Sequence, residues 1–178
     1  MRERAIDLLD LEPGETVFDV ACGNGAIFSA LARRVGLSGR VVGIDQSPEM
    51  AALARDAANG ARNIEVLCDP VESFSSQSAA DAFIFCYTHD VLQNPHALNN
   101  LFAQERPCAR VVATGLCLLP WWGAPANAWA IWGARSYVTT WHGLRKPWAP
   151  LARWCTDLRV VEHCHFGTAY LAAGTLRM

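Results

Sequence analysis

An α/β fold is predicted for this 178-residue chain: a doubly wound, mostly parallel sheet with one antiparallel strand at its edge. Three features carry the prediction. Short β-branched runs alternate with Ala- or Leu-rich segments of helical pattern through the first two thirds of the chain. The runs are apolar throughout, as suits strands covered on both faces. The last two runs follow one another so closely that they must form a hairpin.

In chain order, the expected strands are Thr16 to Ala21, Arg40 to Ile44, Asn63 to Cys68, Asp81 to Cys86 and Arg110 to Leu116, each dominated by Val, Ile, Phe or Leu. Helices fall between them. Residues 1 to 11 place Ile6, Leu8, Leu9 and Leu11 together before the Pro13-Gly14 stop. Asn24 to Val35 keeps Ile27, Leu31 and Val35 at four-residue spacing, and Gly36 ends it. Ser47 caps a helix with Pro48 in its first position and Glu49 in its first turn, and Asn94 precedes Pro95 in the same way. A βαβα rhythm of this kind implies right-handed crossovers and a parallel sheet. Beyond residue 117 the character changes. Residues 118 to 150 carry six of the seven tryptophans and little charge, and Leu158 to His163 and Thr168 to Thr175 then read as two strands joined around Gly167. The whole reads as a single domain of three parts: residues 1 to 117, a Trp-rich covering segment at 118 to 150, and a C-terminal hairpin at 151 to 178.

Composition removes several function classes. Half the chain is apolar (52%) and under a fifth is charged (18%), which is globular rather than disordered. Net charge is −2, and the 15 Lys and Arg are dispersed, so nucleic acid is not expected as a partner. No apolar run reaches the roughly 18 to 20 residues of a membrane span. The seven cysteines are odd in number, form no Cys-x-x-Cys pair, and lie mostly in or beside apolar runs. With no secretory leader ahead of them they read as reduced residues of a cytoplasmic protein.

The sharpest motif is Val17-Phe18-Asp19-Val20-Ala21-Cys22-Gly23-Asn24-Gly25. A strand ends in an acidic residue and a small-residue turn, and a helix follows. Gly23 and Gly25 let backbone approach a ligand where a Cβ would collide or demand a strained φ. The second strand ends at Asp45, 20 positions after Gly25, where an acid commonly accepts from ribose hydroxyls. No Gly-Lys-Ser/Thr follows, which excludes a phosphate-binding P-loop. Phe28 occupies the third position of a nicotinamide Gly-x-Gly-x-x-Gly pattern, which fits it poorly.

Asp19-x-Ala21-Cys22-Gly23-x-Gly25, followed by Gly43-Ile44-Asp45-x-Ser47-Pro48-Glu49-Met50, resembles the cofactor-binding half of class I S-adenosylmethionine-dependent methyltransferases, nearest to the quinone-biosynthesis and small-molecule subgroup. The resemblance runs through Leu67-Cys68-Asp69 and Asp81-x-Phe83 to Thr114-Gly115. It implies a Rossmann-like fold and S-adenosylmethionine as cofactor, with S-adenosylhomocysteine as its product. Asp19, Ala21, Gly23 and Gly25 would then surround the amino acid part, Asp45 and the adjacent Gln46 the ribose, Asp69 and Pro70 the adenine, with Cys86 at the end of the fourth strand nearby. Three departures stand out. Ala21 occupies a position where glycine is commoner. Pro70 has no N–H to give an adenine nitrogen. Relatives usually carry some tens of residues ahead of the first helix, often part of a lid, so either the substrate site is more open here or the Trp-rich segment covers it.

For the acceptor, the same resemblance points to Phe85-Cys86-Tyr87-Thr88-His89-Asp90, at the carboxyl end of strand four. His89 is the candidate base, because an imidazole can accept a proton at neutral pH, and Asp90 could orient it. The plainer reading is that His89 bonds backbone and Asp90 caps a turn. Tyr87, Trp121 and Trp122 are candidate substrate contacts, able to stack on an aromatic acceptor or enclose an amine. His142 is a reserve base. Most of the tryptophans read as packing residues, or as an exposed patch favouring a homodimer. His163 and His165 would share a strand face without Cys164, and no further ligand cluster completes a metal site. The expected activity is therefore methyl transfer to a small hydrophobic or aromatic molecule. A cofactor-binding homologue without catalysis and a nicotinamide-dependent oxidoreductase are the alternatives.

Overall fold

The computed structural model describes residues 1–135 and 140–177. The expected covering segment is thus described except for 136–139, and the C-terminal hairpin except for its last residue. Seven strands form one sheet: β1 Thr16–Val20, β2 Arg40–Ile44, β3 Ile64–Leu67, β4 Ala80–Cys86, β5 Glu105–Leu116, β6 Arg159–Cys164 and β7 Ala169–Thr175. Their order is β3-β2-β1-β4-β5-β7-β6. The first five strands pair in parallel, and β7 runs antiparallel to both β5 and β6. The one antiparallel strand expected on this side of the sheet is β7. It lies one place in from the outermost strand β6, because the hairpin's second arm, not its first, docks on β5.

Among the described residues six α-helices accompany the sheet: α1 Arg2–Leu8, α2 Phe28–Val35, α3 Pro48–Ala58, α4 His89–Leu92, α5 Pro95–Phe102 and α6 Ala124–Ala134. The side chains of Ser47 and Asn94 accept the first free N–H groups of α3 and α5, as their positions ahead of proline imply. The helix α2 starts later than its four-residue spacing suggests. Gly25 sits at φ +70°, and hydrogen bonds from Gly25 to Cys22 and from Phe28 to Gly25 turn the chain before the helix can begin. β5 begins earlier than its apolar run, with a register shift between Ala80 and Ala82 where it meets β4.

Alternate residues of each strand feed two cores. Val17, Val41, Ala82 and Ile84 meet Ile6, Leu9, Phe28 and Leu31 beneath α1 and α2. Phe18, Val20, Phe83 and Phe85 meet Leu98, Leu101 and Phe102 of α5. On that second face Phe74, Phe18, Phe83, Phe102 and Trp154 form a chain of tilted and edge-on rings with centroids 5.3–5.9 Å apart. Burying such a side chain stabilises the fold by roughly 1.5–3 kcal/mol. Because β1 leads outward to β2 and β3 on one side while β4 and β5 continue on the other, a crevice opens at the carboxyl ends of β1 and β4. Open α/β sheets bind ligands at this point.

Candidate active site

Asp19, next to last in β1, is buried, and its Oδ2 has no hydrogen-bond partner among the described residues. Burial, opposed by the Arg2 guanidinium and reinforced by Asp45, pushes its carboxyl up to about 8. An orphaned, buried carboxylate oxygen is costly unless a ligand satisfies it. Around it, Ala21, Gly23 and Gly25 have φ of +51°, +56° and +70°, so three turn residues lie in the left-handed region. A Cβ added at Gly23 would meet nothing within 4 Å, whereas at Gly25 it would meet the Phe28 ring at 2.7 Å. Gly23 therefore borders open space and Gly25 is packed. Cys22 N–H donates to Ile44 O at 3.0 Å, and Gly23 N–H to Asp45 Oδ2 at 2.8 Å. Asp45 is buried at the end of β2 and also accepts from Ser47 N–H through Oδ1 at 2.9 Å.

The cleft so formed, about 110 Å³, is bounded by Asp19, Ala21, Gly23, Ile27 and Cys86, and by Arg2 from the first turn of α1. Burial raises the Cys22 thiol strongly and the Cys86 thiol to about 12, so both face the cleft as neutral groups. Arg2 is a residue of this cleft that reading from the sequence missed. Nothing in its local pattern distinguishes it from Arg4; only the docking of α1 brings it beside Asp19.

Arg2 also joins this cleft to two cavities. In a cavity of about 560 Å³ it is accompanied by Tyr87, His89, His165, Trp129 and Thr168, with Leu116, Ala130 and Ala169 on the apolar walls. A second, of about 490 Å³, shares Tyr87 and His165 and adds Glu3. Tyr87, at φ +63°, holds its ring under the Arg2 guanidinium, 5.7 Å from centroid to charge. His89 is buried in α4, with Nε2 bonded to the Thr140 carbonyl. A carbonyl can only accept, so Nε2 carries the hydrogen and Nδ1 is the basic nitrogen.

The structure thus brings together Asp19, Ala21, Gly23 and Cys86 at the cleft and Tyr87 and His89 at the larger cavity. Gln46, Asp69 and Pro70 are exposed at the ends of β2 and β3 and line none of these spaces, and Asp90 is exposed on α4. Trp121 and Trp122, 84% and 62% exposed, lie outside the cavity walls, as does the exposed His142; Trp129 of α6 takes the place expected for them. Trp148 packs against Tyr170 and His163, as its reading as a packing residue implied. The strand alternation proposed for His163 and His165 does not hold. β6 ends at Cys164, and His165 turns off at φ +50° into a 3-10 turn, His165–Gly167, and towards the cavity. Among the described residues no group of His, Cys, Asp and Glu has the arrangement of a metal site. Among them, too, no helix is long and apolar enough to cross a membrane.

A doubly wound sheet with a glycine turn after β1, an acid ending β2 and a crevice at the carboxyl ends of β1 and β4 defines a Rossmann-like fold. The methyltransferase domain family matches residues 17–115, more than half the chain, and the chain belongs to that family. Among similar proteins, the 2-phytyl-1,4-naphtoquinone methyltransferase of Thermosynechococcus vestitus is 35% identical over 111 residues, 61% of this chain and 49% of that protein. The 23S rRNA (uracil(1939)-C(5))-methyltransferase RlmD of Acinetobacter baylyi is 43% identical over 84 residues, 46% of this chain and 18% of that protein. The chain spans at most about half the length of these relatives. In fold, it is similar to a SAM dependent methyltransferase from Aquifex aeolicus, with a TM-score of 0.69, 22% identity, and 98% of this chain and 89% of that one covered.

Proposed function

We propose that this chain binds S-adenosylmethionine in the Asp19 cleft and methylates a small, apolar or aromatic acceptor held in the 560 Å³ cavity. The observation that carries the reading is the orphaned Asp19 Oδ2, which needs a cationic or hydrogen-donating ligand group, beside a glycine whose Cβ position is open. When bound, the cofactor supplies an electrophilic methyl group and departs as S-adenosylhomocysteine. Asp19 would take its ammonium group, and Asp45, with Gln46 beside it, the ribose hydroxyls through lone pairs that its two backbone donors leave open. Asp69 and Pro70 would border the adenine.

On the acceptor side, His89 would take the acceptor's proton at Nδ1, with Nε2–H held on the Thr140 carbonyl to fix the ring. Asp90, in the same helix, would help to orient that ring. Tyr87 and Trp129 would flank an acceptor ring. The chain would act as one methyltransferase domain, with residues 118–150 covering the acceptor side. The exposed Trp121, Trp122 and Trp132 support a homodimer. The net charge of −2 and the absence of a basic run favour a small molecule over RNA as acceptor, although one relative acts on ribosomal RNA. Seven free cysteines support a reducing compartment, the cytoplasm.

Calorimetric titration with S-adenosylhomocysteine tests the cofactor assignment. Micromolar binding that is lost in Asp19→Ala is expected. Absence of binding, together with NADH binding followed by its fluorescence, would replace this reading with the oxidoreductase alternative.

A further inference from the structure

The wall of the 560 Å³ cavity contains Arg2, His89 and His165 and, among the described residues, no carboxylate. Its volume lies within the usual range for a drug-sized ligand, and Leu116, Trp129, Ala130 and Ala169 provide apolar surface. An ammonium group entering it would shed water next to a guanidinium and find no counter-charge. Aromatic faces can sometimes replace a carboxylate for such a group. Here, however, the Tyr87 ring already carries Arg2, 5.7 Å from its centroid. Three acids lie nearby but outside this wall. Glu3 lines the adjoining cavity, which shares Arg2, Tyr87 and His165, while Glu162 pairs with Arg4 at 3.0 Å and Asp19 belongs to the cofactor cleft. His165 is held at the wall by its backbone: its carbonyl accepts from Thr168 N–H at 3.1 Å and from Thr168 Oγ1 at 2.7 Å, which leaves the ring unencumbered by the turn.

We infer that the cavity selects an apolar, planar molecule bearing an anionic oxygen, a carboxylate or an acidic phenol, with Arg2 and His165 on that oxygen and Trp129 against the ring. The description of this molecule as a methyl acceptor rests on the function proposed above; the charge preference rests on the wall alone. Primary and quaternary amines are rejected by the same wall.

The test is a ladder of three probes of one shape, 1-hydroxy-2-naphthoate, 2-naphthol and 2-naphthylmethylamine, titrated into the full chain with and without saturating S-adenosylhomocysteine. The naphthoate should bind about tenfold tighter than the amine, the scale of one added charge-assisted hydrogen bond, with the naphthol between them. His165→Gln, which leaves the carbonyl contacts of the turn in place, should narrow the ladder. Equal affinities, an amine that binds tightest, or no binding of any probe overturns the inference. An intact ladder without S-adenosylhomocysteine binding supports it, and overturns the cofactor assignment instead.

Discussion

Gly23 N–H donates to Asp45 Oδ2 at 2.8 Å, joining the turn after β1 to the end of β2, and Ser47 N–H takes the other carboxylate oxygen at 2.9 Å. One side chain therefore shapes the glycine turn and starts the approach to α3, besides its proposed role towards the ribose. Asn at this position has a single acceptor oxygen, so its NH₂ must confront one of the two backbone donors. Asp45→Asn is expected to lower unfolding stability by about 1.5–3 kcal/mol, the range for hydrogen bonds to a charged group, and to weaken S-adenosylhomocysteine binding with it. Urea denaturation and calorimetry check both. An Asn variant matching the wild type in both would remove Asp45 from the site.

Asp19 has a consequence for pH. Its folded-state pKa, about 8, lies above the unfolded carboxylate range near 4, so the folded chain binds the extra proton between these values. The stability this contributes is complete below about pH 4 and is lost as pH rises to about 8. Asp19→Asn should erase that slope, matching the wild type near pH 4 and exceeding it at pH 8 in denaturant midpoints. A cationic ligand reverses the preference by stabilising the carboxylate. Binding of S-adenosylhomocysteine at pH 7 should therefore release protons, seen as an enthalpy that differs between phosphate and Tris buffers. The same slope in wild type and Asn variant would mean that Asp19 ionises normally.

Ala21 occupies a left-handed conformation, φ +51°, that an L side chain adopts at a cost of about 1–2 kcal/mol. Glycine there would relieve that strain but lose about 0.4–1 kcal/mol to greater freedom in the unfolded chain. Ala21→Gly is thus expected to stabilise the fold by roughly 0.5–1 kcal/mol in urea denaturation while cofactor affinity stays within a few-fold. A destabilised variant would show that the methyl group has a packing role.

Trp129 and Trp121 separate a cavity role from a surface one. Trp129 forms part of the cavity wall although 63% exposed, while Trp121 is 84% exposed and lines none of the cavities. Trp129→Ala should weaken 1-hydroxy-2-naphthoate binding about tenfold, in line with the loss of one stacking and apolar contact. Trp121→Ala should leave it within twofold and instead reduce any self-association seen in sedimentation velocity. The reverse pattern would move the acceptor site to the other side of α6.

How much of this was legible in the sequence follows from the range of the interactions concerned. The motif from Asp19 to Gly25, the acid at Asp45 and the caps at Ser47 and Asn94 are local, since each depends on residues within one turn or one strand, and all were readable. Arg2 was not, because its nearness to Asp19 depends on how α1 docks on the sheet. Choosing Trp129 over Trp121 and Trp122 required the position of α6, a helix too uniformly apolar for its pattern to indicate which side faces inward. His165 was read as a continuing strand residue because nothing in its own type signals the left-handed turn that ends β6.

His89 brings the proposed chemistry to a single atom. Its Nε2–H is committed to the Thr140 carbonyl, so Nδ1 is the nitrogen that can accept a proton from a hydroxyl or carbon acid. Glutamine at this position can still donate to the carbonyl but cannot act as base. His89→Gln is therefore expected to keep the fold and bind S-adenosylhomocysteine within threefold, while methyl transfer falls by about 10²–10⁴-fold, the usual contribution of a positioned base. Raising pH should recover part of the variant's rate when the acceptor is a phenol, because the phenolate then forms without help. A variant whose rate matches the wild type across that pH range would show that His89 only ties α4 to the covering segment, and that the acceptor arrives already deprotonated.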